Sequence, residues 1–222
     1  MKHLYVFIIA FLPVFAFGQD AARKSHFEYG VFGGKQLWGK VYDDRKIASV
    51  SGWVAGVDVG YRDKSGISFH LQPNFSTFGS AWESNETDYH YRYEWKWGAI
   101  NVPLTARYTL GSGRVRPFAE AGLNLRLRTS LSFEYEFISC GFCCCRPGYG
   151  TDDKQKSMTR DPAGIIAAIG AEIDLHSVTI PITLRLIEGI GTYDLKPDPT
   201  PGSGYGGLKT RVIQVTAGIS IP

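Results

Sequence analysis

The chain has 222 residues, 44% of them hydrophobic and 14% aromatic, with 26 glycines and only 2 methionines. Its formal charge of +3 argues for neither a nucleic-acid partner nor a polybasic patch on an anionic membrane. After residue 18 no apolar run is long enough for a spanning helix, and the composition is that of a β-rich protein with glycine for turns and crowded strands.

Met1 to Gly18 reads as a secretory signal. Lys2 is the charged start, Leu4 to Phe17 the apolar centre, and Ala16-Phe17-Gly18 the small residues of a cleavage site. The run is short for a membrane anchor and Pro13 interrupts it. Cleavage leaves one domain, 19–222, beginning at Gln19, with a charge of +2 because only Lys2 is lost. No cysteine follows the cleavage site, which argues against a lipid anchor there.

The first strand is expected over 26–35 and a polar loop over 36–50. The second strand, 51–62, puts Trp53, Ala55, Val57, Val59 and Tyr61 on one face and Gly56, Asp58, Gly60 and Arg62 on the other. Asp63-Lys-Ser-Gly66 is a tight turn. The third strand, 67–78, alternates Ile67, Phe69 and Leu71 with Ser68, His70 and Gln72, and carries Pro73, which a soluble central strand resists. A polar loop is expected over 79–90.

The fourth strand, 91–110, changes the parity of its apolar residues, from Tyr93, Trp95 and Trp97 to Ile100, Val102 and Leu104. A β-bulge at Gly98-Ala99 accounts for the shift. After the Gly111-to-Arg114 turn, the fifth strand, 115–137, keeps Ala119, Ala121, Leu123, Leu125, Leu127, Leu131, Phe133, Tyr135 and Phe137 on one face. Its other face carries Glu120, Asn124, Arg126, Arg128, Ser130, Glu134 and Glu136. A loop over 138–161, strands over 164–175 and 178–187 joined at 176–177, a Gly/Pro-rich loop over 189–207 and a last strand over 208–221 complete the chain.

Alternation alone fits a soluble sandwich or a membrane barrel. The connections separate them, because short and long links alternate strictly along the eight strands. With both termini on the periplasmic side, every short turn falls inside and every long loop outside. The fold expected is all-β, an eight-stranded antiparallel transmembrane up-and-down β-barrel. A soluble lipocalin-like barrel is the rival, and it would have to line its ligand cavity with charge.

Ile100-Asn-Val-Pro-Leu104 with Arg107-Tyr108, then Gly113-Arg-Val-Arg-Pro-Phe118 and Ala121-Gly122, resembles the PorT-like family of small outer-membrane β-barrels common in Bacteroidetes. Leu184-Arg185 and Gly189 are similar to that family's seventh strand. One departure is the C-terminal Ile219-Ser-Ile-Pro222, where such barrels usually end on an aromatic residue. The resemblance implies a place in the outer membrane and a role within a secretion or envelope assembly.

The polar faces collect Asp58, Arg62, His70, Arg107, Glu120, Arg126, Arg128, Glu134, Glu136, Glu172, Asp174 and Arg185. Charges inside a barrel must pair or cost several kcal/mol each, so these are expected to form a salt-bridge network that fills the lumen, Arg107 meeting Glu120 and Arg126 or Arg128 meeting Glu172. A charge-lined pore is the alternative.

Cys140, Cys143, Cys144 and Cys145 suggest disulfides in an exported chain, with three possible pairings. Adjacent cysteines pair only under strain, which points to Cys140 joined to one of the other three. Cys140-x-x-Cys143 has a workable zinc spacing, but no histidine lies nearby and no metal is assigned; free or lipid-modified thiols are the remaining alternative. Ser84, Asp88 and His90 could be arranged as a triad, as could any polar loop, and there is no G-x-S-x-G elbow, so no enzyme activity is expected.

The function expected is that of a membrane-anchored scaffold or binding protein acting through long outer loops. A narrow channel or a carrier for small apolar solutes is the alternative. The partners expected are outer-membrane lipid and an envelope or extracellular protein, with no nucleic acid and no cofactor.

Overall fold

The structure, a computed structural model, describes residues 25–40, 48–86, 89–140, 145–152, 163–175, 177–190 and 210–222. The signal segment therefore lies outside the described residues, as do the central parts of the first and last long loops. The strands are β1 (His26–Lys40), β2 (Ala48–Arg62), β3 (Ile67–Leu71), β4 (Asn74–Glu86), β5 (Tyr89–Thr109), β6 (Val115–Cys140), β7 (Cys145–Asp152), β8 (Ala163–Asp174), β9 (Thr179–Gly189) and β10 (Thr210–Ile221).

These segments make eight staves. β3 and β4 are one stave broken at Gln72-Pro73, and both lie between β2 and β5. β7 and β8 are another, pairing the outer and inner halves of β6. All pairings are antiparallel, and β1 pairs β10 from Tyr29↔Ile221 to Lys40↔Thr210, which closes the barrel. Closure removes the sheet edges that would otherwise invite pairing with another chain. Two of the short turns use glycine, Gly66 and Gly111, which take left-handed φ angles of 83° and 77°.

The outward faces form an apolar belt. On β10, Ile213, Val215, Ala217, Ile219 and Ile221 are exposed while Gln214, Thr216 and Gly218 between them are buried. That stretch matches the about 9–11 residues a tilted strand needs to cross a bilayer. The belt ends outward at the Arg211–Glu188 ion pair (Nε to Oε2, 2.7 Å) and at Lys96, and inward at the Asp63 turn. There the Lys64 and Ser65 backbone N–H groups hold the Asp63 carboxyl below the usual carboxylate range.

Three of the expected loops are shorter than the sequence suggested. β1 runs on to Lys40 and β2 begins at Ala48; β4 and β5 stay paired out to Glu86↔Tyr89; and β6 continues to Cys140, with β7 folding back on it. Polar runs such as Glu83-Ser-Asn-Glu86 hide these extensions. Above a membrane both faces can meet water, so the apolar alternation that marks a strand is no longer required.

The bulge is where the sequence reading changes most. β5 is regular through this region, with Trp97, Ala99, Asn101, Pro103, Thr105, Arg107 and Thr109 all buried. Ala99 faces Arg128 and Gly98 faces Ser130, so the extra residue is Thr129, on β6. Exposure on β6 therefore passes from odd positions, Leu123, Leu125 and Leu127, to even ones, Ser130, Ser132, Glu136 and Ile138. Leu131, Phe133, Tyr135 and Phe137 do not continue the lipid face; their positions share the inner face with Trp97. Glu134 and Glu136 are correspondingly not lumen residues. The reason is solvent. Below the bulge the exposed outer wall is apolar, as a lipid-facing wall has to be, and above it the exposed residues of β5 and β6 are mostly polar, as a wall in water can be.

Candidate functional site

The lumen is filled in tiers. At the inner end, Arg62 donates from Nη2 to Glu172 Oε1 at 2.7 Å and from Nη1 to Thr109 Oγ1 at 3.0 Å, and its Nε reaches Glu28. Arg116 Nη2 lies 3.2 Å from Glu172 Oε2 and 2.9 Å from Asp174 Oδ2. Asp174 is at the rim, its side chain 36% exposed, and accepts from Thr179 Oγ1.

The next tier shares Glu172. Arg107 donates from Nη1 to Glu172 Oε1 at 3.1 Å and from Nη2 to Glu120 Oε2 at 2.8 Å, its guanidinium 4.2 Å above the Phe118 ring. Arg185 Nη2 donates to Glu120 Oε1 at 2.7 Å and to Gln72 Oε1. Each acid thus accepts from more than one guanidinium, an arrangement that offsets the cost of taking these charges out of water.

Beside this lattice, His70 Nδ1 lies 2.9 Å from Asp58 Oδ1 and His70 Nε2 lies 2.9 Å from Ser68 Oγ. A carboxylate only accepts, so Nδ1 carries a hydrogen. The connectivity is that of a hydrolase relay, but the setting differs: Ser68 is fully buried and the ring packs against Gly60, where a Cβ would come within 2.8 Å of Nδ1. The trio ties β2 to β3 across the sheet. Of the three residues considered for a triad from sequence, Asp88 and the side chains of Ser84 and His90 lie outside what the structure describes.

Farther out the lumen turns neutral. Asn101 Nδ2 donates to Asn74 Oδ1 at 3.1 Å and to Ser76 Oγ at 2.9 Å, and Gln214 Nε2 donates to Gln36 Oε1 at 2.8 Å. Arg126 belongs to this tier, its Nε 3.2 Å from Asn101 Oδ1, and not to Glu172, which is the register partner of Arg116. The side chain of Arg128 lies outside the described residues. Val54, Trp97, Ala99, Ile166, Ile187 and Val212 are buried inside the barrel and add an apolar layer to the filled lumen.

Sequence reasoning missed Glu28, Gln36, Asn101 and Arg116, and put Gln72 and Gln214 on polar faces without adding them to the network. All follow from one signal, the inward parity of their strands, which holds for neutral amides as well as for charges. Arg116 shares its parity with Glu120 and was legible on that ground.

The second candidate region is the part of β4, β5, β6 and β7 that rises above the bulge. Among the described residues its outer face is mostly polar on β5 and β6, with Arg92, Lys96, Ser130, Ser132 and Glu136 exposed. Lys96 Nζ donates to Glu134 Oε2 at 2.9 Å and lies 3.6 Å from Glu94, and both partners of the first contact are well exposed. The Glu134 hydrogen bond holds the Lys96 ammonium above the usual lysine range. Tyr149 on β7 is 89% exposed, and its neighbour Gly150 leaves room for the Tyr135 ring, whose hydroxyl would sit 2.3 Å from a Cβ there.

No protein-family model matches the chain, and no curated protein matches it. Solved structures do. The outer membrane protein OprG from Pseudomonas aeruginosa aligns at a TM-score of 0.50 and 11% identity over 91% of this chain and 99% of that one. Neisserial surface protein A aligns at 0.47 and 12% identity over 90% and 99%, and Ail, the attachment invasion locus protein of Yersinia pestis, at 0.38 and 11% over 88% and 99%. The shared feature is the fold, a closed eight-stranded antiparallel β-barrel.

Proposed function

We propose that this protein is an exported outer-membrane barrel that serves as a membrane-anchored scaffold, binding an envelope or extracellular protein through the strand extension above the bulge. One observation carries the reading: the lumen is closed by paired charge and an apolar layer, whereas the polar wall of β5 and β6 continues well past the lipid belt. The protein's ordered surface for recognition is therefore outside, not within. The PorT-like motifs in the fourth and fifth expected strands support a partner in a secretion or envelope assembly, and the apolar segment before Gln19 supports export with cleavage after Gly18.

A photo-crosslinking residue at Tyr149 or Glu136, with one at lipid-facing Ile219 as control, tests this in intact cells. The expected result is a discrete protein adduct from the two outer positions, identified by mass spectrometry, and lipid adducts alone from position 219. Lipid adducts from all three, or a mature protein that retains Met1, would end the reading.

A further inference from the structure

We propose that Cys140 and Cys145 form a cross-strand disulfide that staples the tip of the outer extension. Spacing in the sequence leaves the partner of Cys140 open among three cysteines. The register does not: β6 and β7 pair without a break from Phe133↔Asp152 to Cys140↔Cys145, so residues 140 and 145 stand directly opposite each other. Opposed residues in an antiparallel pair have Cα atoms about 4.5 or 5.5 Å apart, according to whether the pair is hydrogen-bonded. Both spacings fall inside the roughly 4.4–6.8 Å that a disulfide spans.

The face is also the accessible one. Glu136↔Tyr149 and Ile138↔Pro147 are register pairs in which all four residues are exposed, and positions 140 and 145 follow them on the same face by the alternation of each strand. The bond forms by thiol–disulfide exchange with the disulfide of a protein thiol oxidant of the export compartment. The two thiols lose two protons and two electrons, one Sγ–Sγ bond forms, and the oxidant leaves as a dithiol. Cys143 and Cys144, which lie outside the described residues, stay reduced because a bond between neighbours is strained.

The proposal rests on the exported reading, and one preparation separates the two. Full-length protein is extracted from membranes in N-ethylmaleimide and its free thiols are counted by mass. It is then cut after Phe142 with chymotrypsin and the linked peptides are sequenced. Two alkylated cysteines, Cys143 and Cys144, are expected, with a 140–145 linkage that separates only on reduction. The C143S/C144S variant should keep the linkage and show no free thiol, and C140S/C145S should show two. Linkage of Cys140 to Cys143 or Cys144, or four alkylated cysteines in a protein recovered from the outer membrane, overturns the staple alone. Four free thiols in a cytosolic protein that keeps Met1 overturns both.

Discussion

Arg107 and Glu120 are register partners on β5 and β6, and their side chains meet at 2.8 Å with both residues under 5% exposed. The pair is the hub of the lumen, because Arg107 also reaches Glu172 and Glu120 also receives Arg185. Removing Arg107 alone leaves the buried Glu120 Oε2 without its donor, with only Arg185 left to balance that acid. Arg107→Ala should cost about 3–5 kcal/mol, the usual range for breaking a dry pair from one side. Urea unfolding of the refolded barrel, followed by its heat-modified gel mobility, measures it. Arg107→Met, Glu120→Leu and Arg185→Met together should recover most of the loss, because all the charges that Glu120 bridges are then removed while Glu172 keeps Arg62 and Arg116; a triple variant no better than the single would show that packing, and not the unpaired charge, sets the cost.

The closed lumen predicts an absence of conduction. Planar-bilayer recording of the unmodified protein should show no steady ion-selective current. Removing Glu172 and Arg62 together should open the inner tier while leaving the amide tier and the apolar layer in place, so current should remain absent. A stable conductance in the unmodified protein would favour the channel reading over the scaffold.

Glycine sits where two staves come too close for a side chain. At Gly122 a Cβ would stand 2.1 Å from the Leu104 backbone oxygen, and at Gly34 it would stand 2.0 Å from that of Val215. Backbone atoms cannot give way as a side-chain tip does. Gly122→Ala should therefore destabilise the barrel by about 1–3 kcal/mol, the range for overpacking. Gly113→Ala, whose nearest neighbour would be 3.9 Å away, is the control and should change stability little. Equal losses at the two sites would show that closeness to the neighbouring stave is not the cause.

The Lys96–Glu134 contact on the outer face is exposed and should contribute little. A double-mutant cycle with alanine at each position should give a coupling of about 0.2–1 kcal/mol that falls with added salt. Because the Lys96 value is raised in the folded protein, the contribution is fully present below the unfolded lysine value of about 10.4. It is lost as pH rises through the raised folded value. A coupling that is unchanged between neutral pH and pH above that value would rule out the ion pair as its source.

The sequence by itself determined the barrel. Period-two alternation marks a strand with two unlike faces, and the short turns at 63–66, 111–114 and 176–177 set the up-and-down order of the eight staves. These are local properties, carried by neighbouring residues. The extensions of β4 to Glu86 and of β6 to Cys140 were not legible, because alternation fades where neither face has to be apolar. The strand that carries the bulge was not legible either. A parity change in β5 fits a bulge there just as well as a change of solvent across a regular strand, and only the pairing Ala99↔Arg128 and Gly98↔Ser130 chose the second. The same holds for the lumen. Parity placed Glu172 and Arg107 inside, but register and closure brought Arg62, Arg107 and Arg116 to one carboxylate and sent Arg126 to Asn101. Which charges meet depends on residues far apart in the chain arriving at the same depth, and that depth is a property of the closed sheet, not of any one strand.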